Sequence, residues 1–290
     1  MPDLLLTKAP HWDWLAVGYF FLGGIAGGCA FLAALARLFG DRQRDAAVIR
    51  LARLVAFPAV ALGALLLVVD LRRPDRFWHM LFMSERPGVL LKWWSPMSVG
   101  AWALAAFGAV AALHFLVALR SGRPGRLARL DEGLLGRCLA VSGAASGFFL
   151  ASYTGVLLSV TNRPLWSETS LLGLVFLISA ASTSAALLQI LLARRGERDP
   201  HASPWLARFD RMLLPAELLA LLALVLSLGS SVSLVGAGWA VAFAVGVVGL
   251  GILLPFMLRR DPRFTLAAAA LVIGGGLLLR MVVVLSVESL

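Results

Sequence analysis

The chain has 290 residues, 60% of them hydrophobic and only 14% charged, with a net charge of +10. A water-soluble domain carries about 25% charged residues, so this chain cannot cover a solvated surface and lipid must cover most of it. The basic excess does not point to nucleic acid, because the arginines punctuate apolar runs and no binding motif accompanies them.

Crossing a bilayer takes about 20 apolar residues. The runs here are continuous Leu, Ala, Val and Gly, without the short alternating segments of a membrane β-barrel. In chain order they predict spans over Trp14–Leu38, Leu51–Val69, Met97–Leu119, Leu139–Val160, Leu171–Ala193, Met212–Leu228, Val235–Leu258 and Phe264–Val287. The sixth is short and contains Pro215 and Glu217. The expected fold is all-α: one integral membrane domain over 1–290, a polytopic bundle of eight transmembrane helices. Asp13 precedes the first span, no basic segment does, and no Ala-x-Ala site follows, so that span reads as a permanent helix and not as a cleaved signal.

Eighteen arginines lie in or beside the first, third, fifth and seventh loops, against seven basic residues on the opposite face. Basic loops stay cytoplasmic, which puts both termini on the extracytoplasmic side. The exception is the second loop, Asp70–Pro96. It holds Arg72, Arg73, Arg76, Arg86 and Lys92 on the face where basic charge is sparse, together with Trp78, Trp93, Trp94 and His79. Most tryptophans, and both tyrosines (Tyr19 and Tyr153), fall toward that same face. The pattern is compatible with uneven anchoring, with a pocket for an amphipathic aromatic ligand, or with a docking protein.

Gly23/Gly27, Gly24/Gly28 and Gly143/Gly147 have the GxxxG spacing of closely packed membrane helices. Three ionisable residues lie within spans: His114, Glu217 and Arg280. Such groups are costly in lipid and functional by default. They can neutralise one another for assembly or form a polar, proton-conducting path. Of the histidines His11, His79, His114 and His201, only His114 is well inside a span, so a bis-histidine haem is not expected. No CxxCH motif is present, and no second metal ligand sits at i+3 or i+4 from any histidine. Cys29 and Cys138 cannot hold an iron–sulfur cluster alone.

Several segments are similar to the NrfD/PsrC family, the quinone-reactive membrane subunits of polysulfide-reductase-like complexes. They are Pro10–Trp14 with Tyr19–Gly24, Asp70–His79, Ser95–Ser98, Tyr153–Leu158, Thr161–Trp166, and Leu278–Arg280 in the last span. Asp13 and Arg72 stand where the family usually has Gly. The resemblance implies a haem-less subunit, with no metal of its own, in a bacterial cytoplasmic membrane. It implies a menaquinone or ubiquinone site near the extracytoplasmic face, with His11, Asp70 and Tyr153 around the headgroup and Tyr19 and Trp12 lining ring and tail. Chemistry agrees: Tyr153 or His11 can donate to a carbonyl, and Asp70 can take up a proton. The basic second loop (Arg72, Arg73, Arg76, Trp78, His79, Lys92, Trp93) would dock a ferredoxin-like iron–sulfur subunit, with a further catalytic subunit, molybdenum-type or other, carrying the substrate chemistry. Two other classes fit part of the sequence: an ion or solute transporter, and a purely structural anchor for a peripheral protein.

Overall fold

The computed structural model describes residues 12–41, 43–71, 73–82, 91–121, 129–161, 163–195 and 204–288. Eight helices within them are long and apolar enough to cross a membrane. They are α1 (Trp14–Phe39), α2 (Ala46–Asp70), α3 (Pro96–Leu119), α4 (Gly133–Ser159), α5 (Leu172–Arg194), α6 (Pro204–Leu228), α7 (Ala237–Leu258) and α8 (Thr265–Glu288). A 3₁₀ turn, Pro74–Met80, follows α2. The helices alternate in direction. The end of the bundle where α1 begins is called proximal below, and the other end distal.

α1 and α5 form the centre. α1 packs against α2, α4, α5 and α8, and α5 against α1, α2, α4, α6 and α8. Small side chains make this possible. The two GxxxG ridges of α1 serve different neighbours: a Cβ on Gly27 would stand 2.6 Å from the Gly147 carbonyl oxygen of α4, and one on Gly28 would stand 2.5 Å from the Ala180 oxygen of α5. Close backbone approach of this kind replaces the hydrophobic drive that lipid cannot supply between helices. α3 and α7 lie at the periphery and leave most of their apolar surface to lipid.

Asp13 caps α1, its Oδ1 accepting from Leu15 N at 2.8 Å. Ser95 occupies the N-cap of α3 with Pro96 in the first turn, although the Ser95 side chain makes no capping bond. Three helices begin well ahead of the expected spans, α2 at Ala46, α4 at Gly133 and α6 at Pro204; in α6 the charge of Asp210 is buried and paired with Arg259. α7 is wound as a π-helix from Ala242 to Leu253. Pro255 follows two residues later and supplies no N–H to the turn before it.

At the distal end Asp131, from the α3–α4 connection, ties α1 to α2. Arg53 Nη2 lies 2.9 Å and Arg37 Nε 3.2 Å from Asp131 Oδ1.

Candidate functional site

Near the proximal end a cleft of ≈ 420 Å³ opens among α1, α2, the 3₁₀ turn, α3 and α4. Tyr19, Phe20 and Gly23 of α1 form one wall, and Tyr153, Thr154 and Leu157 of α4 another. Its floor runs inward along α2 to Phe57 and along α3 to Gly108. Thirteen residues separate Phe57 from Asp70, so at 1.5 Å per residue the floor reaches roughly 20 Å below the end of α2. The lining is almost wholly apolar, with the two phenols and Thr154 as its polar exceptions. A Cβ on Gly108 would meet nothing within 4 Å, as expected of a residue facing open space.

Tyr19 lies within interaction reach of Asp70, and Asp13 is close enough to act electrostatically on both. Asp70 is half-buried at the end of α2, flanked by the lining residues Val68 and Leu71. Tyr153 reaches across to α3, where its hydroxyl donates to the Pro96 carbonyl, and its ring stacks on Phe149 at 5.5 Å. Gly100 leaves the room for this ring. Trp12 sits behind the cleft, stacked on Phe20 at 5.7 Å and edge-on to Trp166 at 5.9 Å. Trp166 is buried beside Leu165, whose φ of 69° is a left-handed value that turns the chain inward, and its Nε1 donates to the Val283 oxygen at 2.7 Å. The structure therefore brings Tyr19, Asp70, Tyr153 and Trp12 to one place. His11 and Arg72 lie outside the described residues.

The 3₁₀ turn and the start of α3 form a basic, aromatic rim on the cleft. Arg73, Arg76 and Lys92 are exposed, Trp93 is 78% exposed and Trp94 66%. His79 stacks on Trp78 at 3.7 Å and its Nδ1 lies 3.2 Å from the Arg76 oxygen. Phe77, Met80 and Leu81 of the same turn point into the cleft lining, so one short segment serves both surfaces.

The intramembrane charges fall into two groups. Arg280, completely buried, donates from Nη1 to Ser179 Oγ at 3.2 Å and to the Gly276 oxygen at 2.7 Å. Its guanidinium lies over the rings of Phe176 (5.2 Å) and Phe21 (5.6 Å). Glu217, 4% exposed, lies near the same Ser179 hydroxyl. His114 is elsewhere. Its Nε2 lies 3.1 Å from the Leu139 oxygen, and its charged neighbours are Arg53, Asp131 and Arg37. The sequence placed Glu217, Arg280 and His114 on one path, and the structure joins the first two alone. It also adds a pair that hydropathy missed: Asp210 Oδ2 lies 2.6 Å from Arg259 Nη1, with Gln189 of α5 within reach of the same carboxylate. The signal available was the seven-residue spacing of Asp210 and Glu217, which puts both on one face of α6. Among the described residues, no three His, Cys, Asp or Glu side chains converge as metal ligands would.

The chain is 31% identical over 275 residues to Protein NrfD of Escherichia coli (strain K12), covering 86% of this chain and 84% of that protein. It is 26% identical over 298 residues to a polysulfide reductase chain of Wolinella succinogenes, covering 93% and 92%. A shorter stretch of 88 residues is 31% identical to a selenate reductase subunit of Mesobacillus selenatarsenatis, covering 30% of this chain and 20% of that one. The family described as Polysulphide reductase, NrfD matches residues 6–289, and the chain belongs to that family.

Proposed function

We propose that this multi-pass membrane protein is the quinone-reactive subunit of a multi-subunit respiratory oxidoreductase, with the cleft as its quinone site. The observation that carries this is that two phenols, from helices far apart in sequence, line one long apolar cleft, one of them beside a carboxylate. The relatives named for polysulfide and selenate reductases support the oxidoreductase setting. A quinone is a flat ring with two carbonyls and a long isoprenoid tail, and the cleft has the size, shape and distribution of polarity to take one. Bound there, it supplies a carrier of two electrons and two protons.

This chain's residues do the rest. Tyr153 and Tyr19 turn their single hydroxyl protons from the Pro96 carbonyl and Asp70 to the ring oxygens and fix the ring's orientation. Asp70, beside Tyr19 and half-open at the proximal end, takes up or delivers protons. Phe20, backed by Trp12 and Trp166, gives the ring a rigid wall, and the α2–α3 floor excludes water from the tail. His11 belongs at the headgroup by family resemblance. The proximal end is extracytoplasmic in this reading, in a bacterial cytoplasmic membrane, and the protein is one membrane unit across 1–290. The rim of Arg72, Arg73, Arg76, Trp78, His79, Lys92 and Trp93 docks an iron–sulfur subunit through complementary acidic charge. A further subunit carries the substrate chemistry.

Quinone content of the purified complex tests this. Menaquinone or ubiquinone should co-purify and be lost in Tyr19→Phe/Tyr153→Phe, and a complex that retains it fully in that variant would refute the site.

One observation favours an accompanying proton path: Glu217, Ser179 and Arg280 form a connected buried unit beside α1. Glu217→Gln should slow charge translocation or quinone turnover in liposomes. Normal rates on both counts would remove the path.

A further inference from the structure

Among the described residues, Arg280 is the largest fully buried charged side chain, and no acid lies within ion-pair distance of it. Glu217 acts on it electrostatically, and Ser179 lies near both. A guanidinium without a direct ion pair is costly inside a membrane protein, and its position is informative.

It lies against the back of the cleft wall. A Cβ on Gly24 would stand 2.7 Å from Arg280 Nη2, so only glycine admits the guanidinium at this point of α1. The next residue toward the proximal end, Gly23, lines the cleft and faces Thr154, itself a lining residue. Adjacent Cα atoms are 3.8 Å apart, so the guanidinium is at most about 8 Å from Gly23 Cα. One strand of backbone, with no side chain on either glycine, separates the charge from the ligand space. Phe176 and Phe21 clamp the guanidinium in this place, and Phe176 also packs on the lining ring of Phe20.

We infer that Arg280 is an electrostatic positioning residue: it projects positive potential through the Gly23–Gly24 backbone into the cleft and stabilises negative charge on a ring bound there. Its effect opposes that of Asp70 and Asp13, the acids at the proximal mouth, and is moderated by Glu217 from behind. Inside its basic rim the cleft thus has acids beside Tyr19 and a positive charge behind its inner wall. A ring held by the two phenols is polarised along that axis, with charge favoured on the side facing α1 and proton exchange on the side facing Asp70. At a separation of about 10 Å and an effective dielectric of about 20, one unit charge changes an equilibrium about tenfold.

The inference rests on the proposed function of the cleft, and its test separates the two. The probes are two naphthoquinones of similar size: the hydroxy derivative, which is ionised at neutral pH, and the methyl derivative, which is neutral. The quantity measured is the ratio of their affinities for the intact complex in lipid nanodiscs. Arg280→Gln should lower the preference for the anion about tenfold while changing the neutral probe much less. Arg280→Lys should keep the wild-type ratio. Gly24→Ala retains the charge but pushes the guanidinium off α1, and should lower the ratio partially, which keeps the test open if Arg280→Gln does not assemble. A structural role alone would weaken both probes equally. A ratio unchanged in Arg280→Gln, or in Gly24→Ala where the former fails to assemble, would overturn the inference while leaving the cleft assignment standing. Binding of both probes at wild-type strength by Ala101→Phe, which fills the cleft, would overturn the assignment itself and the inference with it.

Discussion

Replacing Tyr153 by Phe removes a single hydroxyl from the head of the cleft. The ring should stay in place, because it stacks on Phe149 at 5.5 Å with 17° between the planes and is seated against Gly100. The lost group is a neutral donor, and a neutral hydrogen bond contributes about 0.5–1.5 kcal/mol net. Quinone affinity should therefore fall about threefold to tenfold, with little change in thermal stability. Tyr19→Phe should cost a similar amount and also release Asp70 from its partner. The tyrosines approach from different helices, so in the double variant the losses should add to within about 0.5 kcal/mol. Asp70→Asn keeps shape and polarity but cannot take up a proton, so it should retain affinity and lose turnover by about a hundredfold or more. The assay is equilibrium titration of the complex in nanodiscs with a short-tailed quinone, alongside turnover and a melting curve. Unchanged affinity in both single variants and the double variant would refute the placement of the headgroup between the phenols.

Asp210→Ala strands Arg259, 12% exposed at its side chain, without its 2.6 Å partner; it should destabilise the complex by about 3–5 kcal/mol in a detergent melt, and Asp210→Ala/Arg259→Leu should recover most of that. In Gly155→Ala the new Cβ would stand 2.5 Å from the Leu172 carbonyl carbon and 2.7 Å from Gly173 N, both backbone; forcing α4 from α5 should cost about 1–3 kcal/mol or block assembly. Arg76→Glu, on an exposed residue of the rim, should slow association with the partner subunit about tenfold at low salt and flatten its salt dependence, as read by surface-binding kinetics.

The bundle was legible because a bilayer imposes it: runs of about 20 apolar residues have few alternatives to helix. α6 was misjudged at its start because hydropathy counts Asp210 as water-facing, whereas Arg259, far off in sequence, neutralises it. The π-winding of α7 leaves no mark in a uniformly apolar run. At the site, Asp70 and the tyrosines were legible as chemistry, and family resemblance grouped Asp70 with Tyr153. What the sequence withheld was pairing. Tyr19 rather than Tyr153 lies beside Asp70. His114 has suitable depth, but it projects from α3 toward Leu139 and the Arg37–Arg53–Asp131 cluster instead of toward Glu217. The Gly23–Gly24 pair looked like packing alone. Its second role, thinning the wall between the cleft and Arg280, appears only when α8 is in place.

Covalent capture tests the central claim most directly. A photoreactive azidoquinone, irradiated with the complex in membranes and mapped by peptide mass spectrometry, should label the cleft-lining segments of α2, α3 and α4, between Val60 and Leu71, Met97 and Gly108, and Leu150 and Leu157. The labelling should be suppressed by excess native quinone and by Ala101→Phe. Competable labelling confined to the lipid-facing surface of α6 or α7, with these segments unmarked, would contradict the account.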